Sequence, residues 1–135
     1  MRVVLDTNVL VSGLLNPHGA PGRIMEFTLA DAFVVLYNDR MFNEYREVLS
    51  RSELRIDSGH QEIILDYIMR EGEYVSPPHL HVLLPDPSDL PFLEVAVTGR
   101  ADALITGNAK HYKPTRGRHS VNVLSPADFL RSLTV

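Results

Sequence analysis

The chain has 135 residues, 44% of them hydrophobic and 22% charged, with a net charge of −4, so one domain spanning residues 1–135 can bury its own core. It has no cysteine, which excludes disulfides, thiolate metal sites and cysteine nucleophiles, and suits a reducing cytoplasm. No apolar run reaches membrane-spanning length and the start lacks a signal peptide's basic region, so a soluble intracellular protein without membrane contact is expected; its acidity demands a local basic patch if it is to hold nucleic acid.

Val3, Val4 and Leu5 form a short apolar run that reads as a strand buried on both faces. Asp6 follows at the strand's tip, and Thr7 or Asn8 starts a helix through Val9, Leu10 and Leu14. Asn16 to Gly22 is a turn-rich loop, Arg23 to Asp31 a second helix, and Phe33 to Tyr37 a second buried strand. Asn38 or Asp39 caps a third helix running to about Leu49 or Ser52. Met41, Phe42, Tyr45, Val48 and Leu49 cover one arc of it, with Glu44 on the rim.

Ser58-Gly59-His60-Gln61 fits a capping box with Ser58 at the cap, opening a fourth helix that Gly72 ends. Ile64, Leu65, Tyr67 and Ile68 are its core candidates. His79 to Leu84 is expected to be the third strand, leading into Pro85-Asp86-Pro87-Ser88-Asp89. A fifth helix carries Phe92, Leu93, Val95, Ala96 and Val97 to Gly99, with Pro91 confined to its first turn. Ala103 to Thr106 is a fourth strand followed by Gly107-Asn108, Val121 to Val123 a fifth, and Ser125-Pro126 opens the last helix.

Alternating strands and helices predict an α/β fold with a parallel sheet covered on both faces. Polar groups then recur at strand tips: Asp6, the pair Asp86 and Asp89, and Asn108, with Glu44 on the helix after another strand. If the first and fourth strands are neighbours, these groups converge at the switch point where open α/β sheets place ligands. Each also has a plain structural role open to it: Asp6 and Asp89 as helix caps, Glu44 as a solvated carboxylate, Asn108 as a turn residue. Gathered carboxylates raise one another's pKa unless a cation neutralises them, and oxygen ligands suit Mg²⁺ or Mn²⁺. Such ions activate water and stabilise the oxygens of phosphodiester cleavage.

The stretches Val4 to Leu10, Asn43-Glu44-Tyr45, Asp86 to Leu93 and Ile105-Thr106-Gly107-Asn108 together resemble the PIN-domain family, most of all its VapC-like toxin ribonucleases. The resemblance spans nearly the whole chain in the right order. It implies a three-layer α/β/α sandwich with a five-stranded parallel sheet of order 3-2-1-4-5. It also implies a metal-dependent endoribonuclease site of Asp6, Glu44 and Asp89, with Asn8 and Thr106 supporting through hydrogen bonds. Asn108 matches a fourth ligand position that is often Asp in the family, so one negative charge is absent. An RNA substrate, a cognate antitoxin in a type II toxin–antitoxin pair, and a homodimer are the implied partners.

Of the thirteen basic side chains, Lys110, Lys113, Arg116 and Arg118 fall in one acid-free segment after Asn108. This segment can hold RNA phosphates, with Tyr112 and the histidines stacking on bases. The histidines show no metal-ligand spacing and read as surface residues. Two other readings compete: a degenerate PIN domain that binds RNA or protein without cutting, and an aspartyl-phosphate phosphatase with Asp6 as nucleophile. The second wants an acid two residues on, where Asn8 stands.

Overall fold

The computed structural model describes residues 1–115 and 121–133. Five parallel strands, β1 (Arg2–Leu5), β2 (Val34–Tyr37), β3 (Glu73–Tyr74), β4 (Ala103–Ile105) and β5 (Val123–Leu124), form one sheet of order β3-β2-β1-β4-β5. The helices α1 (Thr7–Leu15), α2 (Ala20–Leu29), α3 (Asp39–Leu49), α4 (Ser58–Glu71), α5 (Leu90–Thr98) and α6 (Pro126–Leu133) flank it. This is the expected α/β architecture and strand order. Val3, Val4 and Leu5 of the central strand are fully buried, as their apolar run predicts. Among the described residues no helix is long and apolar enough to cross a membrane.

The register of the two central strands decides where the polar tips meet. Val3, Val4 and Leu5 lie opposite Ala103, Leu104 and Ile105, and the Asp6 N–H continues the ladder by donating to the Ile105 carbonyl at 2.9 Å. Asp6 and Thr106 therefore leave the sheet side by side. On the other flank α3 is held to the sheet by Tyr45, whose buried hydroxyl donates to the Leu5 carbonyl. The Tyr45 ring also meets Phe92 of α5, with centroids 6.0 Å apart.

The third strand is not where the sequence pattern put it. His79 to Leu84 forms no ladder; the third strand is Glu73–Tyr74, immediately after α4. Gly72 permits the sharp return, since a Cβ there would lie 2.8 Å from the Val35 carbonyl oxygen. The Val75 N–H still reaches the Tyr37 carbonyl at 2.8 Å, and then Pro77 and Pro78 supply no N–H to extend the pairing. The alternation over 79–84 is nevertheless real: Leu80 and Val82 are half-buried and Leu84 buried, while His81 and Leu83 face outward. It marks an extended strap rather than a strand. The last strand is likewise shifted, to Val123–Leu124.

The cap of α4 also moves by one residue. Asp57, not Ser58, takes the N-cap, its carboxylate accepting from the His60 N–H at 3.1 Å, and the Gln61 amide turns to the Ile56 carbonyl at 2.9 Å. Replacing Asp57 by Ala should therefore cost about 0.5–2 kcal/mol in urea unfolding. Ser58→Ala should stay within about 0.5 kcal/mol of the parent. The reverse ranking would restore the capping box read from the sequence.

Candidate functional site

Asp6 is 4% exposed and stands at the junction of β1 and α1. Its Oδ1 accepts from the Thr7 N–H at 2.8 Å, so it does cap the helix. Its Oδ2 accepts from the Thr106 hydroxyl at 2.8 Å and the Tyr112 hydroxyl at 3.2 Å, with Asn8 Nδ2 at 3.5 Å. Thr106 works in two directions, since its oxygen also accepts from the Asn108 N–H at 3.0 Å. Asn8 braces the same turn by accepting from the Gly107 N–H at 2.9 Å.

Glu44 is half-buried on the rim of α3, where the helical periodicity placed it, and accepts a hydrogen bond from the Thr7 hydroxyl. Asp89 closes a short 3₁₀ turn, Pro87–Asp89, that leads into α5. It is buried, with its Oδ2 3.2 Å from His111 Nδ1. Asp86 is exposed and caps that turn, accepting from the Ser88 N–H at 3.0 Å and its hydroxyl at 2.8 Å.

Asp6, Glu44, Asp89, Asn108 and Asn8 all line one cleft of about 450 Å³, together with Asp86, His111 and Arg51. Asp6, Glu44, Asp89 and Asn108, the four positions that the resemblance assigns to a metal, are thus brought together from four segments. No group of three or more His, Asp or Glu side chains that could hold a metal ion forms among the described residues. The carboxylates are instead turned onto Thr7, Thr106, Tyr112 and His111. Lys110 and Lys113 are exposed on the 3₁₀ segment Ala109–Thr115. Arg116 and Arg118 lie outside the described residues.

Two aromatic side chains of that segment differ from expectation. Tyr112 is not available to stack on a base: it is 1% exposed, with its hydroxyl on Asp6. His111 is not a surface residue either, being half-buried against Asp89. Thr7, His111 and Tyr112 are the polar partners that sequence reasoning missed. An aromatic residue inside an otherwise charged run was the available signal for Tyr112, and position next to Asp6 the signal for Thr7.

A family profile described as PIN domain matches residues 2–110. Uncharacterized protein MJ1680 of Methanocaldococcus jannaschii is 28% identical over 111 residues, 80% of this chain and 71% of that protein. The crystal structure of VapBC2 from Rickettsia felis bound to a DNA fragment from their promoter contains a chain of the same fold. That likeness has a TM-score of 0.60 at 17% identity and covers 93% of this chain and 98% of that one.

The cleft's electrostatics follow from its burial. Desolvation pushes the Asp6 carboxyl up, against the hydrogen bonds from Thr106, Tyr112 and Thr7. Glu44 is raised by burial and then by the Asp6 charge, with the Thr7 hydroxyl opposing. Asp89 is pushed up to about 6 by burial and by the charges of Asp6 and Asp86, with His111 opposing. A carboxyl raised in the folded state favours folding when protonated. That contribution is full below the ordinary Asp value and is lost as pH rises through about 6. At pH 7, without metal, ionised Asp89 therefore opposes folding. Asp89→Asn should raise the melting temperature of chelator-treated protein at pH 7 by about 2–5 °C, and the gain should narrow toward pH 5. A constant or negative difference across that range would contradict the repulsion.

Proposed function

This chain belongs to the PIN-domain family, and we propose that it is a divalent-metal-dependent endoribonuclease, the toxin of a type II toxin–antitoxin pair. The observation that carries the reading is the convergence of Asp6, Glu44 and Asp89 on one cleft, where burial raises each carboxyl and neighbouring acidic charge adds to it at Glu44 and Asp89. An arrangement that opposes its own ionisation is suited to a cation. The donors are all oxygen on the acidic side, three carboxylates and the Asn108 amide, which fits Mg²⁺ or Mn²⁺. Mg²⁺ keeps several waters and commonly takes only one or two carboxylates, so three need not meet at a point. When bound, the ion supplies an activated water and charge stabilisation on the phosphate.

The chain's own side chains supply orientation. Thr7, Thr106 and Tyr112 fix both oxygens of Asp6. The Thr7 hydroxyl fixes Glu44, and His111 fixes Asp89. Asn8 holds the Gly107 turn that presents Asn108. Lys110, Lys113, Arg116 and Arg118 are the proposed phosphate contacts. The likeness to a VapBC2 chain supports an antitoxin protein as partner; a seat for it in the crevice beside the apolar helices, and a toxin that pairs with itself, belong to the same proposal.

A non-catalytic PIN domain is the second reading, and it is favoured by Asn108 and by the absence of a three-ligand group among the described residues. A nuclease assay separates the two. Single-stranded RNA should be cut with Mn²⁺ or Mg²⁺ and left intact in excess chelator. Asp6→Asn should reduce cutting to background while keeping the fold by circular dichroism, and Asp86→Ala should keep most activity. Undiminished cutting by Asp6→Asn, or cutting in chelator, would sink the metal mechanism.

RNA binding offers an independent check. Neutralising Lys110, Lys113, Arg116 and Arg118 together should flatten the salt dependence of binding to single-stranded RNA. The log–log slope should fall by about 0.7 for each phosphate that the variant no longer neutralises. An unchanged slope would show that the segment is only solvated.

A further inference from the structure

One charged side chain in the core belongs to none of these contacts. Glu94 sits in the middle of α5, among Phe92, Leu93, Val95 and Ala96, and is 2% exposed. Its Oε2 accepts from the Leu80 N–H at 2.7 Å and lies 3.0 Å from His79 Nδ1. Its Oε1 accepts from Arg40 Nη1 at 3.5 Å. The first two partners belong to the strap that leads to Asp86 and Asp89. The third belongs to α3, one turn before Glu44.

The strap packs Leu80 and Val82 against the core but has little backbone pairing to hold it. Among the described residues no backbone–backbone hydrogen bond is donated between Val75 and Asp89. Leu84 anchors the strap by burial, and the Leu80 N–H is its polar tether. Stability does not explain the choice of Glu. Replacing a buried ionic group by an apolar side chain of similar volume is often neutral or stabilising.

We propose that Glu94 is a positioning residue, a buried clasp that binds the strap and α3 to α5 and so fixes Asp89 relative to Glu44 across the cleft. The consequence for chemistry rests on the reading of that cleft as the active site; the clasp itself does not.

Amide hydrogen exchange on metal-free full-length protein tests the clasp. In Glu94→Leu the amides of Leu80, Ser88 and Asp89 should exchange at least about tenfold faster, while core amides of β1 and β4 keep their protection. Mn²⁺ affinity in calorimetric titration should fall several-fold in the same variant, less than the roughly 10–100-fold lost when a ligand's own hydrogen-bond partner is removed, because Glu94 acts on Asp89 through the strap. Glu94→Gln retains an oxygen to accept from Leu80 and should restore the protection of Leu80, Ser88 and Asp89, while its Nε2 cannot accept from Arg40 and Mn²⁺ affinity should return only in part. Should the Leu variant not fold, Leu80→Pro removes the donor instead, and Ser88 and Asp89 are read.

The proposal is overturned if those amides exchange at the parent rate. It is also overturned if protection falls uniformly over the molecule, if Mn²⁺ affinity is unmoved while the strap loosens, or if Gln does not restore the protection of Leu80. A parent protein that binds no Mn²⁺ would instead refute the proposed function, and exchange at Leu80, Ser88 and Asp89 would still decide the clasp.

Discussion

The hydrogen bond from the Asp6 N–H to the Ile105 carbonyl is the constraint on which the rest depends. It extends the β1–β4 ladder one residue beyond Leu5 and Ile105, so that the first polar residue of each tip emerges beside the other. Thr106 can then give its hydroxyl to an aspartate 100 residues earlier in the chain. Because side chains alternate across a strand, a slip of one residue would send Asp6 and Thr106 to opposite faces of the sheet. Complete burial of Val3, Val4, Leu5, Leu104 and Ile105 makes such a slip costly. The apolar centre of the sheet thereby sets the geometry of the polar groups above it.

A second consequence is that the polar groups above the sheet are fully engaged with one another. No buried side-chain nitrogen or oxygen lacks a hydrogen-bond partner among the described residues. Thr106 and Tyr112 serve Asp6, His111 serves Asp89, and Thr7 serves two carboxylates, Asp6 through its N–H and Glu44 through its hydroxyl. A donor that fits a carboxylate lowers its pKa, whereas burial raises it, and for Asp6, Glu44 and Asp89 burial is the larger effect. The cleft is therefore hydrogen-bonded yet electrostatically opposed to ionisation. A cation relieves that opposition; another hydroxyl does not.

What could be read from the sequence divides along physical lines. β1, β2 and β4 were legible because they run through the interior of the sheet and their residues form unbroken apolar runs. Glu73–Tyr74 was not, since both residues are exposed and the pairing is decided by where Gly72 returns the chain. His79 to Leu84 carried the stronger signal, but alternation reports one buried face and says nothing about a partner strand. Asp6, Glu44, Asp89 and Asn108 were legible as chemistry at strand tips and on a helix rim, and the cleft brings them together. Tyr112 was not. Its neighbours are charged, and its burial depends on Asp6, which no local pattern connects to it.

The same distances along the chain determine how the cleft must assemble. Asp6 lies 100 residues from Thr106 and 106 from Tyr112, and Glu44 lies 37 from Thr7. None of these bonds can form from local structure, because closing such loops costs entropy that only a packed core offsets. The short separations belong to capping: Asp6 to Thr7 and Asp86 to Ser88. Capping by Asp6 is therefore available as soon as α1 forms, whereas its contacts to Thr106 and Tyr112 wait for β4 to dock on β1. Capping does not exhaust that carboxylate, because its second oxygen is left for contacts across the sheet. Its local bond fixes the helix start, and docking of the distant strand then fixes the free oxygen within the cleft.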